Sequence, residues 1–246
     1  MNKITELFKK PQPVLAMLHL KGNDDDDVLE RAKREISLYF QQGVDGVIVE
    51  NYFGHYYQMV KVLKFLSENY SDKIYGVNCL NMDIMGFELA MTYGAKFVQL
   101  DSVAGHLKPR DDHSFEAFIN LCRERYQVLV FGGVRFKYQP YLSERSLEED
   151  LMIAKERCDA IVVTGDHTGE ETDLTKIKNF RRIIGDFPLI IGAGVSPINA
   201  QEQMAFADGA IVGSYFKDKF KDDGEVDADH VSKLVDLFEA IRRERK

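Results

Sequence analysis

Eight short runs of apolar residues recur along the chain, each dominated by Val, Ile, Leu or Phe with little polar alternation. Strands that are buried on both faces have this pattern. The segments between the runs carry apolar residues three or four positions apart, which predicts amphipathic helices, as at Leu29, Ala32, Ile36 and Phe40. The predicted strands lie near residues 14–20, 46–50, 74–79, 97–101, 128–134, 160–164, 189–192 and 210–213.

Eight strands that alternate with helices favour an α/β fold of the (β/α)8 type, a TIM barrel, built from residues 1–246 as one domain. An open, doubly wound sheet is the alternative. That fold would carry a glycine-rich nucleotide fingerprint after the first strand, whereas Lys21-Gly22-Asn23-Asp24 follows it here. We therefore predict the barrel and expect no nucleotide cofactor.

The net charge and the cysteines limit the expected partners and the expected cellular location. The 32 Lys and Arg residues against 40 Asp and Glu residues give a net charge of −8, which argues against nucleic acid as a partner. No apolar run is long enough for a transmembrane segment, and the first ten residues lack a secretion signal. The three cysteines are far apart and form neither a zinc motif nor a disulfide framework. A cytoplasmic location is expected.

Polar residues at the strand ends are the candidates for chemistry, because the active site of a barrel lies at the carboxyl ends of its strands. Glu50 and Asp101 would exchange protons or hold a divalent metal, with His19 as a third ligand. Paired structural carboxylates that bond Lys137 or Arg135 are the alternative, and so is a hydrogen-bonded core role for His19. The candidate catalytic residues are Glu50, Asp101, Lys137 and His19.

Lys137 would act as a desolvated nucleophile, or it would only pair with a phosphate or a carboxylate. Amide side chains suit substrate hydroxyls because they donate and accept hydrogen bonds at once. The candidate substrate-binding residues are Asn51, Asn78, Arg135, Thr164 and Asp166.

Glycines close the last two strands. They let backbone N–H groups approach an anion, and Ser196-Pro197 predicts a helix start nearby with serine as the N-cap. Tight turns without a ligand are the alternative, as is a simple strand bend for Gly132-Gly133. The candidate phosphate-binding residues are Gly192, Gly194, Gly213 and Ser214.

Two further segments have open interpretations. Residues 165–170 form a polar, glycine-containing loop, which is either a flap over the site or an ordinary exposed turn. Four aromatic residues after the second strand either stack on a ligand ring or make a subunit contact, and the contact is favoured, so a homo-oligomer stays open. They are Tyr52, Phe53, Tyr56 and Tyr57.

Several motifs together resemble the BtpA family over nearly the whole chain, from about Pro13 to the last helix. The resemblance implies a barrel related to enzymes that bind phosphosugars. The segment from Phe131 to Lys137 and the segment after Asp101 depart from the family pattern. The matching motifs are Val14-Leu-Ala-Met-Leu-His19, Val47-Ile-Val-Glu50-Asn51-Tyr-Phe-Gly54, Gly76-Val-Asn78-Cys-Leu-Asn81, Ser146-Leu-Glu-Glu, Ile161-Val-Val-Thr164-Gly165, Ile191-Gly-Ala-Gly194-Val195 and Asp208-Gly-Ala-Ile-Val-Gly213-Ser-Tyr-Phe-Lys217.

These observations predict an enzyme that acts on a small phosphorylated ligand, a sugar phosphate, as an isomerase, epimerase or lyase. A non-catalytic assembly factor and a ligand-binding regulator on the same barrel are the alternatives. The cofactor is not identified by the sequence, and a divalent metal at Glu50 and Asp101 stays open.

Overall fold

The computed structural model describes residues 3–244, and its eight strands close into a parallel barrel in chain order. The last strand pairs with the first, so the sheet has no free edge. The predicted (β/α)8 barrel is confirmed. Its strands are β1 Val14–Leu18, β2 Gly46–Glu50, β3 Tyr75–Asn78, β4 Phe97–Ala104, β5 Leu129–Val134, β6 Ala160–Val163, β7 Leu189–Ile191 and β8 Gly209–Val212.

Helices follow every strand and cover the outside of the barrel. Their first turns use side-chain caps where the sequence offers them: the Ser146 hydroxyl accepts from the Glu149 N–H, and the Glu149 carboxylate accepts from the Ser146 N–H. None of the helices within residues 3–244 is long and apolar enough to cross a membrane. They are α1 Lys3–Phe8, α2 Asp25–Gln41, α3 Tyr56–Asn69, α4 Asp83–Tyr93, α5 Pro109–Arg125, α6 Leu147–Arg157, α7 Leu174–Ile184, α8 Ala200–Met204 and α9 Ala228–Glu244.

Apolar side chains fill the inside of the barrel near the amino ends of its strands. Phe97 and Phe131 stack with their ring centroids 4.2 Å apart, and α1 adds Ile4 and Phe8 to the same cluster, with Phe8 6.5 Å from Phe97. Helix α1 was not predicted from the sequence. It packs Ile4 and Phe8 into the inner apolar cluster of the barrel.

The glycine pair of β5 serves a close approach rather than a simple bend. The register between β4 and β5 shifts between Leu100 and Ala104. A Cβ at Gly133 would lie 2.2 Å from the Asp101 carbonyl oxygen, and one at Gly132 would lie 2.7 Å from a Val103 methyl. These glycines let β4 bulge against β5 at the residue where the candidate carboxylate Asp101 sits.

Replacing Gly133 with alanine is therefore expected to lower the free energy of unfolding by about 1–3 kcal/mol, because the backbone of β4 must move to admit the methyl group. Denaturant unfolding followed by circular dichroism measures the loss. Gly86→Ala in α4 is the matched control: its Cβ would meet the Cys79 Cβ at an ordinary 3.5 Å, and alanine favours a helix. Equal stability of the two variants would contradict the close-approach argument.

Candidate active site

The alternation of side chains along each strand decides which residues reach the mouth of the barrel. Met17, Ile48 and Ile211 point into the barrel with the inner apolar cluster. Because every second residue of a strand faces the same side, the positions two residues further on continue that inward series at the carboxyl ends. That series ends in His19, Glu50, Asn78, Gln99 followed by Asp101, Thr164, Gly192 and Gly213.

A cavity of about 380 Å³ opens at this end, within the range of small-molecule sites. One part of its wall is polar and titratable, and another part is formed by the β7 and β8 loops. Apolar side chains such as Met17, Ile211 and Phe220 complete it. The polar and loop residues that line it include His19, Glu50, Gln99, Lys137, Thr168, Gly169, Gly192, Gly194, Ser196, Asn199, Gly213 and Ser214.

Glu50 and His19 form the titratable centre of the cavity. The Nε2 atom of His19 lies 3.6 Å from Oε2 of Glu50, and both side chains are buried. Burial, together with the nearby Asp101 carboxylate, raises the pKa of Glu50 to about 8. Burial and the positive charge of Lys217 lower the pKa of His19 to about 4. Near neutral pH the pair therefore consists of a protonated carboxyl group and a neutral imidazole.

The backbone fixes the tautomer of this imidazole. Nδ1 of His19 lies 3.1 Å from the carbonyl oxygen of Asp222, which only accepts hydrogen bonds, so Nδ1 carries the hydrogen. Nε2 is then an unprotonated acceptor beside the Glu50 carboxyl. The arrangement offers one proton donor and one proton acceptor to a ligand in the cavity, which is the equipment of general acid–base catalysis.

Asn78 joins the two candidate carboxylates. Its Nδ2 donates to Oε1 of Glu50 at 2.8 Å and to Oδ1 of Asp101 at 3.2 Å. Burial raises the pKa of Asp101, and burial with the Asp101 charge raises the pKa of Asp83 to about 6. Asp101 does not form the cavity wall. It contacts Asn78 and Gln99, and its charge raises the pKa of Glu50.

The Lys137 ammonium acts on the same group of side chains. Its charge lowers the pKa of Glu50, of Asp101 and of His19, which places it within electrostatic reach of all three. Its side chain lines the cavity and also lies 5.8 Å from the centre of the Phe136 ring. Lys137 can therefore stabilise negative charge that develops on a ligand in the cavity.

Within residues 3–244, no group of three or more His, Cys, Asp or Glu side chains is arranged to hold a metal ion. His19 lies beside Glu50 in the cavity, and Asn78 donates to both Glu50 and Asp101. A metal site at Glu50 and Asp101 stays a prediction.

The four candidate phosphate-binding residues all line the cavity, and the β6 loop packs directly over them. Gly194 has a φ of +69°, and a Cβ there would lie 2.1 Å from the Glu170 carbonyl oxygen. A Cβ at Gly169 would lie 2.9 Å from the Ser214 hydroxyl. Only glycine permits these approaches, which bring three loops together around one end of the cavity.

The predicted helix start at Ser196 is wrong. Helix α8 begins at Ala200, and Asn199 occupies the N-cap position. The Asn199 side chain accepts from the Ser196 N–H and donates to the Gly194 carbonyl oxygen, both at 2.9 Å. The Ser196 carbonyl oxygen accepts from the Asn199 N–H at 3.2 Å and from the Ala200 N–H at 3.0 Å, so one turn precedes α8, and the Asn199 side chain holds the segment from Gly194 to Ser196 against it.

Aromatic side chains and the β6 loop cover the mouth. The Tyr52 and Phe53 ring centroids lie 5.1 Å and 6.1 Å from that of His19, so these two members of the aromatic cluster pack beside a residue of the cavity wall. The Thr168 N–H donates to the Tyr138 hydroxyl at 2.8 Å. Thr168 and Gly169 of the loop at residues 165–170 line the cavity, and Tyr138 from the β5 loop contacts that loop; the flap stays a prediction.

Two candidate substrate-binding residues bond the backbone instead of lining the cavity. Asn51 follows β2 on the outward-facing parity, and its Oδ1 accepts from the Leu80 N–H at 2.7 Å. The Thr164 hydroxyl accepts from the Lys137 N–H at 3.0 Å, and its carbonyl oxygen accepts from Lys176. They hold the loops that carry the site.

Two other candidates lie outside the cavity wall. Arg135 donates to the fully buried Asp150 carboxylate at 2.9 Å and to the Arg145 carbonyl oxygen, so its charge is used within the fold. Asp166 is exposed in the β6 loop, where its N–H donates to the Glu170 carboxylate at 2.9 Å. Gln99 lines the cavity although it was not predicted from the sequence; its parity with Phe97 on β4 is the signal that could have found it.

The sequence matches one protein family and several curated proteins along nearly its whole length. A family model described as "BtpA family" matches residues 10–240. The chain is 27% identical to the uncharacterized protein MJ1115 of Methanocaldococcus jannaschii, over 96% of this chain and 98% of that protein. It is 27% identical to the putative sgc region protein SgcQ of Escherichia coli, over 99% and 100%. It is 24% identical to the photosystem I biogenesis protein BtpA of Synechocystis, over 95% and 90%.

Solved structures share the barrel at low sequence identity. Thiamine phosphate pyrophosphorylase from Pyrococcus furiosus superimposes with a TM-score of 0.63 at 15% identity, covering 96% of this chain and 98% of that one. Phosphoribosyl anthranilate isomerase from Thermus thermophilus gives 0.60 at 12% identity, covering 94% and 100%. These values show a common fold and nothing more specific.

Proposed function

Because the chain belongs to the BtpA family, we propose that it is a barrel enzyme that binds a sugar phosphate at the carboxyl ends of its strands and moves a proton on it. One observation carries the proposal: a single cavity brings the protonated Glu50 and the neutral His19 together with the glycine loops of β7 and β8. An isomerase, epimerase or lyase needs both an anchoring end and a proton-transfer end.

The loops of β7 and β8 suit the phosphate group. Gly194 and Gly213 line the cavity with their backbone, and the Ser214 hydroxyl adds a donor, whereas the Gly192 N–H already donates to the Val163 carbonyl oxygen at 2.8 Å. The enzymes named above after thiamine phosphate and phosphoribosyl anthranilate have the same barrel, which agrees with an anion site at this end.

The other wall suits proton transfer beside a carbonyl group. The Glu50 carboxyl would donate to a carbonyl oxygen while Nε2 of His19 accepts a proton from the neighbouring carbon. The Lys137 ammonium would stabilise the negative charge that builds up on that oxygen. The Asp101 charge raises the pKa of Glu50 and so favours its protonated form, while the hydrogen bond from Asn78 orients the Glu50 carboxyl, so both act as positioning residues.

The open cavity favours an enzyme over an assembly factor that uses only the outer surface of the barrel. A surface factor gains nothing from a buried carboxyl group with a raised pKa, because a buried polar centre costs stability. A regulator that only binds a ligand would need the phosphate loops but no proton donor. We place the protein in the cytoplasm, where its free, buried thiols at Cys79, Cys122 and Cys158 stay reduced.

The test uses two variants of the same size at Ser214. We expect Ser214→Asp to weaken binding of inorganic phosphate and of sugar phosphates at least 100-fold, and Ser214→Asn to retain most of it. Two like charges about 4 Å apart near a protein surface repel by about 4 kcal/mol, and only the aspartate carries the charge. Thermal shift and calorimetric titration measure the effect; a ligand at 100 times its Kd adds about 2.7 kcal/mol of stability.

Equal phosphate affinity of Ser214→Asp and Ser214→Asn would remove the loops of β7 and β8 from the anion site. If the wild-type protein showed no shift with inorganic phosphate or with any sugar phosphate, the proposed function itself would be wrong. A protein partner would then be the next candidate.

A further inference from the structure

Gln99 is a buried polar side chain of the cavity wall that the proposed acid–base chemistry does not use. It lies on β4 between Phe97 and Asp101, is 5% exposed and lines the cavity. Its Oε1 atom is buried, and no described atom donates a hydrogen bond to it. Buried amide oxygens in folded proteins nearly always have a partner, so this one indicates a group that the protein itself does not supply.

The neighbouring carboxylate determines which end of the amide is left without a hydrogen-bond partner. Nε2 of Gln99 lies 3.5 Å from Oδ1 of Asp101, and the same oxygen accepts from Nδ2 of Asn78 at 3.2 Å. A carboxylate oxygen can only accept hydrogen bonds, so the Gln99 amide must present its nitrogen, the donor, to Oδ1 of Asp101. Oε1 is left as an acceptor without a donor.

The position of β4 in the barrel shows where Gln99 lies relative to the loops that follow β7 and β8. The eight strands follow one another in chain order around a closed barrel, so β4 stands opposite β8. Gln99 therefore faces the cavity from the wall across from Gly213 and Ser214. A ligand anchored by its phosphate at β7 and β8 directs its other end toward β4.

The polar end of the cavity then has a definite pattern of donors and acceptors. Protonated Glu50 and the Lys137 ammonium are donors, which suit a carbonyl oxygen, and Oε1 of Gln99 is an acceptor, which suits a hydroxyl group. A carbonyl carbon with a hydroxyl on the neighbouring carbon matches both requirements at once.

We propose that Gln99 is a specificity-determining residue whose Oε1 accepts a hydrogen bond from the substrate hydroxyl adjacent to the reacting carbonyl. The substrate class is then an open-chain α-hydroxycarbonyl phosphate, a ketose or aldose phosphate, rather than a phosphate ester that lacks this hydroxyl. The inference rests on the proposed function, because it assumes that the phosphate lies at β7 and β8. A site built to accept a hydroxyl discriminates strongly against an analogue without it.

The experiment compares the wild-type protein with Gln99→Met, which has nearly the same shape and no amide. Calorimetric titration uses inorganic phosphate, ribulose 5-phosphate and the pair dihydroxyacetone phosphate and hydroxyacetone phosphate. The last compound has a methyl group in place of the hydroxymethyl group, so it lacks the free hydroxyl beside the carbonyl. We expect the wild type to prefer the hydroxylated member of the pair at least tenfold, and Gln99→Met to lose that preference while its affinity for inorganic phosphate stays unchanged.

The outcomes separate the two proposals. If inorganic phosphate binds but no hydroxyketone phosphate binds more tightly, or if Gln99→Met keeps the preference, the role of Gln99 is overturned and the phosphate site stands. If inorganic phosphate and all the sugar phosphates fail to bind the wild type, the proposed function fails first. A purely structural role would change the melting temperature of Gln99→Met without changing the ratio of the paired affinities. Gln99→Leu repeats the measurement if the methionine variant does not fold.

Discussion

Glu50→Gln is expected to make the protein more stable than the wild type at pH 8.5 and nearly equal to it at pH 4. The folded-state pKa of Glu50 is about 8, above its ordinary value of 4.5, so folding favours the protonated form. The contribution of Glu50 is fully present below pH 4.5 and is lost as the pH rises to 8. Glutamine mimics the protonated acid: it can accept from Asn78 and donate to Nε2 of His19.

The difference in unfolding free energy between variant and wild type should therefore grow by up to about 1.4 kcal/mol per pH unit across that window, reaching the order of 5 kcal/mol. Denaturant unfolding at half-unit pH steps measures it. His19, whose pKa is lowered to about 4, makes both proteins lose stability as the pH falls below 6.5, so its effect largely cancels in the difference. Parallel stability curves for wild type and Glu50→Gln would show that Glu50 is ionised in the folded protein.

An exposed carboxylate supplies the control for that series. Glu202 lies on the surface of α8, and Glu202→Gln should stay within about 0.5 kcal/mol of the wild type at every pH. A pH-dependent difference as large for Glu202→Gln as for Glu50→Gln would point to a general charge effect instead of the buried site.

The barrel could be predicted from the sequence because parallel strands buried on both faces leave continuous apolar runs. Each of the eight strands lies where a run predicts it, with ends that shift by a few residues. The two main errors concern features that depend on tertiary contacts. Helix α1 has only six residues, and the burial of Ile4 and Phe8 depends on their contact with the barrel. The Ser196 N–H donates to the Asn199 side chain, and α8 begins at Ala200 rather than directly after the serine.

Site residues could be predicted where the chemistry coincides with the inward parity of a strand. His19, Glu50 and Gly213 meet both conditions, and all three line the cavity. Asn51 has suitable chemistry but lies on the outward parity, so its amide bonds the backbone. Gln99 has the inward parity but stands within an apolar run, where a lone amide resembles a core residue. Only the packed structure shows that its oxygen has no donor.

Glu35→Gln is expected to cost about 3–5 kcal/mol of stability, the range found when one partner of a buried ion pair is removed. Lys217 is 1% exposed, and its ammonium lies 2.9 Å from Oε1 of Glu35. Arg31 bonds the same oxygen at 3.1 Å. Burial lowers the pKa of Lys217, and the Glu35 charge opposes that shift. Without the carboxylate, two buried cations face each other with a weaker acceptor between them.

The cost should depend on which partner is removed. In Lys217→Met the Glu35 carboxylate keeps Arg31, so a smaller loss is expected, and adding Lys217→Met to Glu35→Gln should recover part of the stability because one uncompensated cation disappears. A double-mutant cycle by denaturant unfolding measures these terms, and a double variant less stable than Glu35→Gln would contradict the argument. The pair also matters to the site, because Lys217 begins the segment whose Asp222 carbonyl oxygen fixes the tautomer of His19.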